Sequence, residues 1–223
     1  MRGAAFIPGL LACLLVAASC GREATSDAPR PQSAPVPAAT TRAPRVVFLG
    51  DSLTAGFGLP QDQAFPARLE AILREEGTPI EAVNAGVSGD TSAGGLRRID
   101  WLLRQEPDVV VVGLGANDGL RGLSPEQTET NLRAIVARTR DARARVLLLG
   151  MRLPPNYGRE YTDRFEAVFA RVAHDTDVAL VPFLLEGVGG EPSLNLADGI
   201  HPNPEGQERV ARNVLPYLRG LLR

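Results

Sequence analysis

The chain has 223 residues and a formal net charge of −2, long enough for one α/β domain with a complete core once its ends are set aside. Every basic residue is arginine and none gathers into a basic stripe, which argues against nucleic acid as a partner. Both cysteines, Cys13 and Cys20, fall in the first twenty residues, leaving the remaining chain no disulfide and no cysteine nucleophile.

Residues 1–20 have the order of an export signal: Arg2, a nearly unbroken apolar run from Ala4 to Ala18, then small residues. That run is too short to span a bilayer comfortably, which takes about twenty apolar residues. Its end, Leu15-Val16-Ala17-Ala18-Ser19-Cys20-Gly21, resembles the lipobox of bacterial lipoproteins, with Ala17 where leucine is usual. The resemblance implies lipidation of Cys20 and a membrane anchor, with the outer membrane favoured because Gly21 follows the cysteine. Cleavage near Ser19, giving a soluble periplasmic protein, is the alternative. Residues 21–44 are rich in Pro, Ala, Ser and Thr without an apolar period and read as a disordered or extended tether.

From residue 45 to 223 short β-branched runs alternate with amphipathic stretches. Strands are expected at Arg45–Leu49, Ile80–Asn84, Asp108–Leu114, Arg145–Met151 and Ala179–Phe183. Several are apolar throughout, as parallel strands covered on both faces must be. Helices are expected over Asp62–Glu76, Ser92–Gln105, Ser124–Arg140, Arg159–Thr176 and Pro204–Leu221. Ser124-Pro125-Glu126-Gln127 supplies a capping serine, a first-turn proline and a glutamine at the third position. Alternation of this kind predicts a parallel sheet with helices on both sides, and reactive groups beyond the carboxyl ends of its strands.

Four blocks fall at those ends. Gly50-Asp51-Ser52 follows the first strand and presents a hydroxyl at the rim of the sheet; a serine there is equally a helix cap. Asn84-Ala85-Gly86-Val87-Ser88-Gly89-Asp90-Thr91 follows the second. Its glycines let a backbone N–H approach a reacting oxygen, or form an ordinary strand-to-helix turn. Gly113-Leu114-Gly115-Ala116-Asn117-Asp118 follows the third, where the Asn117 amide can donate to a developing oxyanion or belong to a plain turn. A dinucleotide-binding reading of these glycines fails on position, since that fingerprint belongs after the first strand. Asp198-Gly199-Ile200-His201 can bring a carboxylate to an imidazole on one loop and fix its tautomer, or be a surface contact. Ser52, His201 and Asp198 can therefore supply nucleophile, base and orienting acid. The other histidine, His174, sits near a helix end, suited to the helix dipole or to solvent. Two histidines and no domain cysteine make a zinc site unexpected, and the chemistry needs no cofactor.

Taken together and in order, these blocks resemble the SGNH subgroup of the GDSL hydrolases. The likeness is to the thioesterase I / protease I / lysophospholipase L1 branch, which includes bacterial arylesterases. It covers essentially residues 45–221, and the segments Ser88–Ser92, Asn117–Gly122, Arg152–Gly158 and Asp198–Asn203 carry it. The resemblance implies a three-layer α/β/α sandwich around a five-stranded parallel sheet. It makes Ser52 the nucleophile, His201 the base and Asp198 its partner. The oxyanion hole would comprise the Ser52 and Gly89 N–H groups and the Asn117 side chain. The acyl pocket is expected beside Leu153, Pro154, Pro155, Asn156 and Tyr157, after the fourth strand. The expected activity is hydrolysis of carboxylic esters and thioesters, with lysophospholipids or short to medium acyl and aryl esters as substrates of an exported monomer. A cell-wall carbohydrate O-acetyl esterase and a non-catalytic acyl-binding lipoprotein are the alternatives.

Overall fold

The computed structural model describes residues 42–223. The expected leader, Cys20 and the tether up to residue 41 lie outside the described residues. Five strands form one fully parallel sheet: β1 Arg45–Gly50, β2 Glu81–Gly86, β3 Val109–Gly113, β4 Arg145–Leu149 and β5 Ala179–Val181, in the order β2-β1-β3-β4-β5. The central strands are apolar because both their faces are covered; Val46–Leu49 and Val109–Val112 are all buried. Edge strand β2 is half-exposed along its length.

The long helices joining the strands are α2 Phe65–Glu75, α3 Ser92–Leu103, α5 Pro125–Asp141 and α6 Arg159–Thr176, and α7 Pro204–Leu222 follows β5. Helix α2 pairs with α7, while α3, α5 and α6 pack side by side. This follows from right-handed crossovers: the step from β1 to β2 runs one way along the sheet and every later step the other, placing α2 opposite the row of three. The expected three-layer sandwich is the fold observed.

Element ends differ from expectation for local reasons. β5 stops at Val181, because Pro182 has no N–H to offer a ladder. The helix expected from Asp62 begins at Phe65, with Pro66 in its first turn; Gln61–Gln63 make a separate 3-10 turn and Ala64 is extended. Ser124 caps α5 as expected, accepting from the Gln127 N–H. Two short helices had no visible period: α1 Ser52–Ala55 and α4 Ala116–Leu120. They carry Ser52 and Asn117.

Small residues seat α1 on the sheet. Gly50 stands level with Gly86 on one side and Gly113 on the other, forming a row across three strand ends. A Cβ at position 50 would lie 2.0 Å from Thr54 Oγ1, and one at 86 would lie 2.3 Å from the Ala55 nitrogen. The buried turn bearing Ser52 therefore rests directly on the carboxyl ends of β1 and β2.

Candidate active site

Ser52 opens α1, and three neighbours fix that turn. Asp51 caps it, accepting from the Leu53 N–H at 3.0 Å. Asn84 donates to the Thr54 carbonyl at 2.9 Å. Gly56, at φ 73°, ends it in the left-handed conformation. The buried Gln207 of α7 accepts from the Phe65 N–H at 2.9 Å and so ties the last helix to α2 beside it.

The Asp198–His201 loop meets this turn. It is held by an isolated antiparallel bridge between Asn195 and Pro202, and by the Leu196 N–H donating to the His201 carbonyl at 2.7 Å. His201 Nε2 lies 3.0 Å from Ser52 Oγ, and its Nδ1 lies 2.7 Å from Asp198 Oδ2. With Nδ1 protonated toward the carboxylate, Nε2 is left as an acceptor for the hydroxyl proton. Asp198 Oδ1 accepts from the Ile200 and His201 N–H groups, each at 3.0 Å. These backbone donors, the Ile200 N–H foremost, and the imidazole hold the Asp198 carboxyl at about 2. The Phe57 ring lies against the imidazole, with centroids 4.4 Å apart.

Across from this pair, the N–H groups of Ser52 and Gly89 have no acceptor among the described residues. Gly89 has φ +80°, a conformation that disfavours a side chain. The Asn117 amide donates to the Asp90 carbonyl at 2.9 Å and makes a longer contact, 3.3 Å, with Asp51 Oδ2. The first bond fixes the amide; the second is weak enough to be exchanged for a better acceptor. Asp51 itself is buried, and loss of water raises its carboxyl to about 6 despite the Leu53 N–H.

A cavity of about 530 Å³ opens beside Ser52 and His201. Leu120, Met151 and Leu153 line it, as do Phe183 and Leu185 from the segment after β5. Pro154 and Pro155 also reach it, whereas Asn156 and Tyr157 do not. The expected acyl-pocket segment is thus corrected at its far end: the Tyr157 hydroxyl donates to the Leu120 carbonyl at 3.0 Å. The turn Pro155–Tyr157 thus brings that hydroxyl to the end of α4. The sequence carries one signal for Phe183 and Leu185, an apolar run that continues past a short strand. His174 is exposed at the end of α6, its Nδ1 2.9 Å from Asp175. Among the described residues no cluster of three or more His, Cys, Asp or Glu side chains is placed to hold a metal ion.

A hydroxyl, an imidazole and a carboxylate in series, facing unpaired N–H groups over an apolar cavity, define a serine hydrolase of acyl esters. The chain belongs to the GDSL-like Lipase/Acylhydrolase family, whose model matches residues 48–209. It is 48% identical over 178 residues to the esterase TesA of Pseudomonas aeruginosa, covering 79% of this chain and 89% of that protein. It is 44% identical over 178 residues to the thioesterase 1/protease 1/lysophospholipase L1 of Escherichia coli strain K12, covering 79% of this chain and 84% of the relative. Among solved structures it resembles the psychrotrophic esterase EstA from Pseudoalteromonas sp. inhibited by monoethylphosphonate, with a TM-score of 0.76 and 36% identity over 80% of this chain and 98% of that one. The protein is a serine esterase of the GDSL/SGNH type, acting on small-molecule esters.

Proposed function

We propose that Ser52 attacks the acyl carbonyl while His201 Nε2 takes its proton, with Asp198 orienting the ring. The tetrahedral oxyanion is held by the Ser52 and Gly89 N–H groups and by the Asn117 amide, which gives up its long contact to Asp51. His201 then protonates the departing alcohol or thiol. Water repeats the sequence on the acyl-enzyme and releases the acid. The observation that carries this reading is the unbroken series Asp198 Oδ2 to His201 Nδ1, then Nε2 to Ser52 Oγ, at 2.7 and 3.0 Å.

The apolar cavity supports acyl chains of short to medium length and the single acyl chain of a lysophospholipid; thioesters fit the same chemistry. The lysophospholipase and thioesterase names borne by the Escherichia coli relative agree with that range. In the cell the protein is exported and anchored by lipid on Cys20, a reading supported by the leader alone. Two or more acyl chains would anchor it stably, where one holds only marginally.

The deciding experiment is labelling with a fluorophosphonate, followed by a panel of p-nitrophenyl esters, lysophospholipid and acyl-CoA. Wild type is expected to label on Ser52. Ser52→Ala is expected to lose labelling and, by the scale of other serine triads, about 10⁴–10⁶ in kcat with its fold retained. A tenth of wild-type turnover surviving in Ser52→Ala would end the assignment. Membrane partitioning that survives in a fully processed Cys20→Ser protein would end the anchor separately.

A further inference from the structure

We propose that Arg98, which touches no reacting atom, is the positioning residue of the oxyanion hole and acts through Asp90. The inference rests on the oxyanion-hole reading above. Arg98 lies on α3, and its side chain is only 23% exposed. It donates from Nε to Asp90 Oδ2 at 2.8 Å, from Nη1 to the Ala85 carbonyl at 2.6 Å and from Nη2 to the Gly50 carbonyl at 2.9 Å. One planar guanidinium thus joins the end of β1, the end of β2 and the loop that follows β2. A lysine has no such fork.

Asp90 couples that clamp to both donors opposite Ser52. It ends the turn Val87–Asp90, and closing that turn confines the peptides inside it, among them the Ser88–Gly89 peptide that carries the Gly89 N–H. Its own N–H donates to the Val87 carbonyl at 3.0 Å, closing the loop, and Val87 in turn donates to the Gly50 carbonyl at 3.0 Å. The Asp90 carbonyl accepts the stronger of the two Asn117 bonds, at 2.9 Å. A shift of Asp90 therefore moves the Gly89 N–H and the Asn117 amide together.

The carboxylate also occupies a place made for it. A Cβ at position 94 would stand 1.6 Å from Asp90 Oδ1, so Gly94 leaves the slot open at the expense of helix propensity in α3. Without Arg98 the Asp90 carboxylate, 12% exposed, loses its counter-charge and the two strand-end carbonyls lose a donor. The loop would settle elsewhere. Misplacing a catalytic group by about 1 Å costs on the order of 10²-fold.

The test uses Arg98→Met and Asp90→Asn in the full chain, with kcat expressed per serine titrated to completion by fluorophosphonate. Both variants are expected to lower kcat by about 10–100-fold with KM within a factor of about three, because the donors act on the transition state. Combined with Asn117→Ala, each should cost less than the product of the single losses, since both act on one unit. A purely structural clamp would lower the melting temperature and the titratable fraction but leave kcat per titrated serine at the wild-type value. That result, or losses that multiply fully, would overturn the proposal. If Arg98→Met does not fold, Asp90→Asn decides by the same readouts. If Asn117→Ala is silent by itself, the oxyanion-hole reading falls and this inference with it; a damaging Asn117→Ala beside silent Arg98 and Asp90 variants removes only the inference.

Discussion

Two aspartates flank Ser52 and His201, and the chain treats them in opposite ways. Asp198 sits on a loop, its side chain 37% exposed, and accepts from two backbone N–H groups and the imidazole, which hold it at about 2. Asp51 immediately precedes Ser52 and is 1% exposed, and burial raises it to about 6. In the proposed mechanism, proximity to Ser52 therefore does not select the carboxylate that orients the histidine. Backbone donors and residual water do, because they keep Asp198 ionised wherever the histidine needs a partner. Asp51 instead caps α1 and touches the Asn117 amide, so its contribution is to shape.

The sharpest way to break this contrast is to neutralise Asp198 while keeping its outline. Asp198→Asn is expected to lower kcat by about 10²–10⁴, as other triads lose activity when the carboxamide favours the wrong imidazole tautomer. Steady-state kinetics on a p-nitrophenyl ester checks it. A loss below fivefold would mean the imidazole is oriented by something else.

Neutralising Asp51 should leave a different trace, in stability against pH. Its folded-state value is raised above the ordinary 3.8, so its favourable contribution is complete below that value and is lost as pH rises through about 6. A displacement of that size corresponds to about 3 kcal/mol between the two ends of the window. Asp51→Asn keeps an acceptor for the Leu53 N–H and removes the titration. The variant is expected to gain on wild type between pH 4 and pH 7, by a few kcal/mol at most. Parallel unfolding curves for the two proteins across that window would refute the buried-carboxyl account.

The smallest expected effect lies on the apolar side of the site. Leu153 lines the cavity and packs over Gly119, where a Cβ would stand 2.5 Å from Leu153 Cδ2. Leu153→Ala should shift the ratio of kcat/KM between longer and shorter acyl esters by about tenfold, the scale of one or two methylenes. Measured across a chain-length series, an unchanged ratio would place chain selection on Phe183 and Leu185 instead.

The sequence was sufficient for the sheet, the five long helices and the four blocks, because each rests on a local rule. Val109–Val112 must be covered on both faces, and Ser124-Pro125 starts a helix by its own chemistry. Asp198 and His201 are three residues apart, so their contact is also a local matter. The two short helices were hidden, since four or five residues cannot show a period of 3.6. Arg98 was hidden for another reason. On α3 it reads as one more polar residue of an amphipathic pattern, and its acceptor at Gly50 is 48 residues distant. The burial of Asp51 and the 3.0 Å approach of His201 to Ser52, 149 residues apart in the chain, were likewise decided by the tertiary structure. Residue types and spacing determined which groups are available for the chemistry. Only the crossovers and the glycine row at three strand ends decided which of them meet, because distance across a sheet is set by strand order and close packing rather than by position along the chain.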